Sequence, residues 1–215
     1  GVNMLNDANI TLAPMEAGHK VSTSTSVGTP AFPINSAVSA IVPTVDTMIV
    51  KYANMLPPGV YQNTKDVPVL RLNLRADKNA VTWKKVNLEF TGTAVDGDIA
   101  AIKIWKDLNN NGIFDEEDST RTVTGEYPGL ITTGNDRFAD KRSEITLSVP
   151  QVIGDDILGQ NYFITFDIAE FAQLYKTFSC IIPDATRFVV EVPDEIEFDT
   201  SGMPIQSIQT TIYEA

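Results

Sequence analysis

Oxygen-bearing side chains fall in a fixed rhythm at Asp107, Asn109, Asn111, Asp115 and Asp118, with Gly112 in the middle of the run. This is the spacing by which a twelve-residue loop wraps a hard cation in oxygen. Asp107, Asn109 and Asn111 alternate, so a tight turn aims all three inward. Gly112 supplies the sharp reversal, because it reaches positive φ without a Cβ clash. Ile113 is expected to offer its backbone carbonyl while its side chain packs. Asp115 is expected to bind directly or through a water. Asp118 would close the site where the standard loop has a bidentate Glu, one methylene longer. Glu116 and Glu117 add negative field without ligating. Stretches rich in Asn, Asp and Gly also make plain polar turns. Five donors and a glycine in one register favour calcium, Ca2+, as the cofactor.

The flanks of the run decide what such an ion would do. Before it, in Ile99 to Lys106, Ile102 and Ile104 alternate with Lys103 and Trp105, which is a strand signal. After it, Ser119 to Thr124 is rich in Thr and also predicts a strand. A loop between two strands is not a calcium-switched helix pair. The ion's expected role is that of a staple, since Asp107, Asp115, Glu116, Glu117 and Asp118 repel one another without it.

The elements that must hold this loop are strand-like almost throughout. Met48 to Tyr52 predicts the first strand of the main domain. Leu70, Leu72 and Leu74 alternate with polar neighbours, as do Val86, Leu88 and Phe90, and Ile145, Leu147 and Val149. Tyr162 to Ile168 is an apolar run suited to a central strand. Arg187 to Val192 and then Ile208, Thr210 and Ile212 predict two more. Asp96-Gly97 has the sequence of a hairpin turn between strands ending near Thr93 and starting at Ile99. Only Ile168 to Tyr175 suggests a helical turn. Alternation with one wet face predicts an all-β fold, an antiparallel two-sheet β-sandwich of seven or eight short strands.

The first part of the chain differs. Residues 17–45 are rich in Ser, Thr, Pro, Ala and Val and almost free of charge. Asn9 to Leu12 predicts a strand, and Val21 to Val27 is extended in character with little apolar face. Residues 1–46 are therefore expected to form an extended arm and residues 47–215 the β-sandwich domain. The arm has two readings: a linker to a preceding domain, or a strand donated to a neighbouring subunit.

Composition narrows the partners. The 215 residues carry a formal net charge of −12, which argues against nucleic acid and against an anionic membrane surface. No stretch approaches the ~18 consecutive apolar residues of a membrane span. The single cysteine, Cys180, lies in the apolar run Phe178 to Ile182 and is expected to be a small buried residue rather than half of a bridge. With no internal disulfide, calcium becomes the main cross-link. The start at Gly1, without Met, suits a processed or excised fragment.

Catalysis finds no foothold. The one histidine, His19, lies in the polar N-terminal part, and a base needs a positioned partner. There is no G-x-S-x-G motif, no phosphate-cradling glycine loop and no zinc spacing. Asp155 and Asp156 are adjacent and follow Gly154, so they predict a turn rather than an acid/base pair. Asp98 and Asp167 flank strands, where either caps a loop or assists a second ion.

Val67 to Leu74, Leu88 to Thr93, the Asp107 to Asp118 loop and Asn161 to Ile168, with a tail at Met203 to Ser207, together resemble repeat modules of large bacterial extracellular proteins. The likeness spans roughly residues 47–213, and only the calcium loop in it is a specific motif. Similar D-x-N-x-N-G loops occur in dockerins and in bacterial surface adhesins. A dockerin is helical and carries two such loops, whereas this chain has one. The resemblance implies an Ig-like or cohesin-like sandwich, extracellular or on the cell surface, made rigid by calcium. It implies a non-enzymatic structural module of a surface protein, layer or fibre, whose partners are neighbouring modules or subunits. The alternative is an adhesion module for carbohydrate or protein. Trp83, Trp105, Tyr127, Tyr162 and Tyr175 are then the aromatics available to stack on sugar rings, with Trp105 the best placed for exposure, being opposite in parity to Ile102 and Ile104. The competing and commoner reading makes them core or sheet-face residues, since aromatics supply much core area.

Overall fold

The computed structural model describes residues 2–5, 9–12, 44–198 and 204–215, the first two segments as backbone only. His19, the Val21 to Val27 stretch, most of the uncharged 17–45 segment and Met203 lie outside the described residues. The chain divides into two units, residues 1–42 and 43–215. In the first, β1 (Val2–Leu5) pairs antiparallel with β2 (Asn9–Leu12), which includes the strand expected there.

The second unit is all-β. In chain order its strands are β3 (Thr47–Asn54), β4 (Gly59–Tyr61), β5 (Val67–Ala76), β6 (Ala80–Gly92), β7 (Ile99–Lys106), β8 (Arg142–Gly154), β9 (Gln160–Ile168), β10 (Thr177–Ile182), β11 (Phe188–Val190), β12 (Glu195–Phe198), β13 (Ile205–Gln206) and β14 (Thr210–Tyr213). One sheet has the order β12-β3-β5-β9-β7. The other has the order β11-β6-β10-β14-β4, with β8 on β6 and β13 on β10. The expected uniformly antiparallel arrangement needs correction. β12 runs parallel to β3, and β14 parallel to β4, so both sheets are mixed.

From β3 to β10, each strand lies in the opposite sheet from the one before it. Asp96-Gly97 is therefore not a hairpin turn. It forms a short 3-10 turn, Asp96–Asp98, that carries the chain across from β6 to β7. The buried Asp98 carboxylate holds this crossing by accepting from the Val95 and Gln173 amides at 2.8 and 2.7 Å. Such connections stitch the two layers together.

The layers meet over one core. Leu70, Leu72 and Leu74 of β5 and Ile164 and Phe166 of β9 face Val86, Leu88 and Phe90 of β6 and Phe178 and Cys180 of β10. Trp83 of β6 meets Tyr162 of β9 edge-on at 5.3 Å between ring centroids. Period-two alternation in the sequence is what builds this interior, because successive strand residues face opposite ways. Burial pushes the Cys180 thiol up to about 12. Among the described residues no helix is long and apolar enough to cross a membrane.

Two local expectations fail. Ser119 to Thr124 is not a strand: a four-residue helix, α1 (Glu116–Ser119), is followed by a turn closed by Thr122 and Glu126. Among the described residues no strand pairs with this segment, and Val123 is fully exposed. Past Ile168, which ends β9, the chain to Tyr175 holds turns and no helix.

Candidate metal centre

The loop leaves β7 at its edge of the five-stranded sheet and folds back over that sheet's outer face. Trp105 and Phe163 point outward there, away from the main core, yet both are buried. Phe114 of the loop covers them, with ring centroids 5.8 Å from Trp105 and 5.4 Å from Phe163. Tyr127 closes on Trp105 edge-on at 5.9 Å, and Trp105 Nε1 donates to Thr165 Oγ1 at 2.9 Å. Trp105, the best placed of the aromatics for exposure, is 2% exposed and packs on the sheet face instead. Its opposite parity to Ile104 does put it on the outer face, but residues 107–131 roof that face. Trp83 and Tyr162 are likewise core residues. Ile113, expected to pack, is 62% exposed, and the neighbouring Phe114 takes the packing role.

Three fastenings set the loop's position. Arg71 of β5 donates from Nη1 to the Gly112 carbonyl at 2.9 Å. Asn110, at φ 56°, accepts on Oδ1 from the Asn161 amide and side chain, and donates to the Gly159 carbonyl at 2.8 Å. Gly129 passes so close that a Cβ would stand 2.3 Å from the Asp118 carbonyl oxygen, so only glycine fits there. Arg71, Asn110, Phe114 and Gly129 were not singled out by spacing. Asn110 alone carried a local signal, as an Asn just before Asn-Gly tolerates the left-handed region.

The five candidate side-chain ligands converge on the loop's own backbone. Asp107 accepts from the Asn111 and Gly112 amides at 3.2 and 2.7 Å. Asn109 Oδ1 accepts from the Asn111 amide, and Asn111 Oδ1 from the Ile113 amide. Asn111 Nδ2 donates to Asp115, which also caps α1 by accepting from the Glu117 amide. Asp118 accepts from the Leu108 amide on one oxygen and the Asp115 amide on the other, joining the two ends of the loop. Gly112 is at φ 77°, as the reversal requires.

Two of these acids, like Asp98, are buried without a partner cation among the described residues. Asp107 and Asp118 are both fully buried, and among the described residues neither has an ion pair. Burial pushes the Asp118 carboxyl above its ordinary range, and the charges of Asp107 and Asp115 push the same way against its amide bonds. Buried Asp167 shows the contrast: Lys103 meets it at 3.0 Å and Asp66 at 2.8 Å. Buried acids without a cation are costly unless hydrogen-bonded or neutralised. Among the described residues no three His, Cys, Asp and Glu side chains gather as a ready metal cluster. The candidate donors in this loop are a mixed set, carboxylates with amides and the Ile113 carbonyl, and the side-chain oxygens are engaged with loop amides. All are oxygen, the donor chemistry a hard cation takes.

No protein-family model matches this chain, and no curated protein matches it.

Proposed function

We propose that residues 43–215 form a calcium-stapled structural module of a bacterial extracellular or cell-surface protein, layer or fibre, of Ig-like or cohesin-like type and without enzymatic activity. The observation that supports this most is the pair Asp107 and Asp118: two fully buried carboxylates in one loop with no cationic partner among the described residues. In this reading Asp107, Asn109, Asn111, Asp115 and Asp118 hold the ion through side-chain oxygens, and Ile113 through its carbonyl. Bound Ca2+ supplies positive charge that offsets the mutual repulsion of the acids. Arg71 and Asn110 pass the resulting rigidity to β5 and β9, and Phe114 seals Trp105 and Phe163 beneath the loop.

The partners that suit this reading are neighbouring modules or subunits of the same assembly. Residues 1–42 serve as the connector or as a strand given to the next copy. Thermal unfolding with calcium and with EGTA, alongside size-exclusion chromatography, tests the proposal. A calcium-dependent rise in Tm supports it, and calcium-dependent assembly identifies a subunit rather than a stalk. An unchanged Tm overturns the staple.

A further inference from the structure

A row of exposed tyrosines stands where β4 and β14 meet the turn before β10. Tyr61, Tyr175 and Tyr213 are 58%, 70% and 41% exposed. Tyr213 is central, with its ring centroid 6.3 Å from Tyr61 and 6.2 Å from Tyr175, and the rings are inclined by 49° and 81°. Parallel pairing of β14 with β4 puts Tyr213 beside Tyr61. The Tyr175 amide donates to the Ile212 carbonyl at 2.8 Å, which fixes the third ring. Gly59 makes room for the row, since a Cβ there would come within 2.6 Å of the Tyr213 ring. Among the described residues, none pairs with the three phenol hydroxyls.

Beside Tyr61 opens a cavity of about 240 Å³ with Pro57, Thr64, Lys65, Asp66 and Pro68 in its wall. Left-handed backbone gathers at this place: Asn63 at φ 57°, Asp66 at 53° and Tyr175 at 60°. For a bulky residue such as Tyr175 that conformation is strained, and strain of this kind is retained mainly at functional sites. The turn at Gln62 and Asn63 is tied to the loop after β9 through Ala172 and Ala169, at 2.6 and 3.2 Å. Ledge and cavity are thus held as one surface.

We propose that this ledge and cavity bind a neutral oligosaccharide. Tyrosine faces cover the apolar faces of sugar rings, while their hydroxyls remain free to bond sugar hydroxyls. The successive inclination of the rings suits a twisted glycan chain better than a flat ligand. At the cavity Thr64 offers a hydroxyl, while Lys65 and Asp66 are already paired with Asp167 and Lys103 at 3.8 and 2.8 Å, so the wall presents balanced charge, which favours a neutral sugar. An extended peptide would instead add along a sheet edge, and β4, the edge strand here, is only three residues long. None of these residues belongs to the Asp107 to Asp118 loop, so the proposal stands apart from the calcium reading.

Calorimetric titration of the full chain, in calcium, with cellohexaose, xylohexaose and chitohexaose tests it. At least one hexasaccharide binds, and Tyr61→Ala and Tyr175→Ala each weaken that binding about tenfold. Tyr175→Gly loses the ring and relieves the positive φ, so it weakens binding without lowering Tm. The proposal is overturned if none of the three sugars binds, or if the Tyr61→Ala/Tyr175→Ala double variant binds as the parent does with its Tm unchanged. Capture of an extended peptide on the ledge in place of the sugars also overturns it.

Discussion

Arg71 Nη1 donates to the Gly112 carbonyl oxygen at 2.9 Å, so the sharp reversal of the loop is fastened to the middle of the five-stranded sheet. The guanidinium reaches across 41 residues of sequence to do it. Among the described residues it makes no ion pair, and this bond is its tie to the loop.

Removing that tie should loosen the loop before the sheets. Arg71→Ala is expected to cost about 2 kcal/mol, the range for a hydrogen bond from a charged donor. Urea unfolding measures the loss, and amide exchange at residues 110–114 should accelerate while β5 and β9 stay protected. Equal acceleration throughout would place Arg71 in the general stability of the sheet instead.

Asp107→Ala should abolish the calcium-dependent part of stability. Affinity is expected at ~10⁻⁵ to 10⁻³ M, as in extracellular modules. Calcium at about 100 times Kd would then stabilise the parent by about 2.7 kcal/mol. Melting curves of parent and variant with calcium and with EGTA give the comparison. A variant that keeps the parent's calcium response would rule out Asp107 as a ligand.

Trp105 should report the loop's state. In a Trp83→Phe background it is the only tryptophan, roofed by Phe114 and Tyr127. Chelation is expected to red-shift its emission as water reaches the outer face, with far-ultraviolet dichroism unchanged. Trp105→Ala should cost about 3 to 5 kcal/mol, as for a buried aromatic. Emission indifferent to chelation would mean that the roof does not depend on the ion.

The pH dependence should differ with and without the ion. The folded-state pKa of Asp118 is raised, chiefly by burial. Without calcium, its ionisation therefore weighs against the fold increasingly as pH rises through the ordinary carboxylate range, and protonation relieves it. With calcium, protons compete for the ligands, so the calcium-induced rise in Tm should shrink as pH falls from about 7 to about 4. Melting curves across that range decide it. A rise that stays constant would mean that no carboxylate of the loop binds the ion.

Cys180 should resist thiol reagents in the native state, since it is fully buried with its pKa pushed up to about 12. Labelling is expected only at the rate of unfolding. Fast labelling of the native chain would show that β10 opens locally.

Much of the strand content was legible because it is local. Leu70, Leu72 and Leu74 alternate with Arg71, Asn73 and Arg75, and that pattern alone makes a two-faced strand. The loop register was legible for the same reason, as Asp107, Asn109 and Asn111 act through neighbouring amides. Trp105 kept two readings, exposed or packed on a sheet face, because parity tells which face a side chain takes, not what lies over that face. Asp96-Gly97 was misread because the same two residues serve a hairpin or a crossing, and the choice rests on which strands find each other.

The sequence by itself determined the alternation that builds strands, the placement of Cys180 in an apolar run and the spacing of oxygen donors from Asp107 to Asp118. These properties reside in residues a few positions apart. Tertiary structure alone decided that successive strands change sheets, that β12 and β14 pair in parallel, that Phe114 roofs Trp105 and that Tyr61, Tyr175 and Tyr213 form one ledge. Those facts depend on strand pairing and packing between distant segments, and a period of two specifies a face without specifying its neighbour.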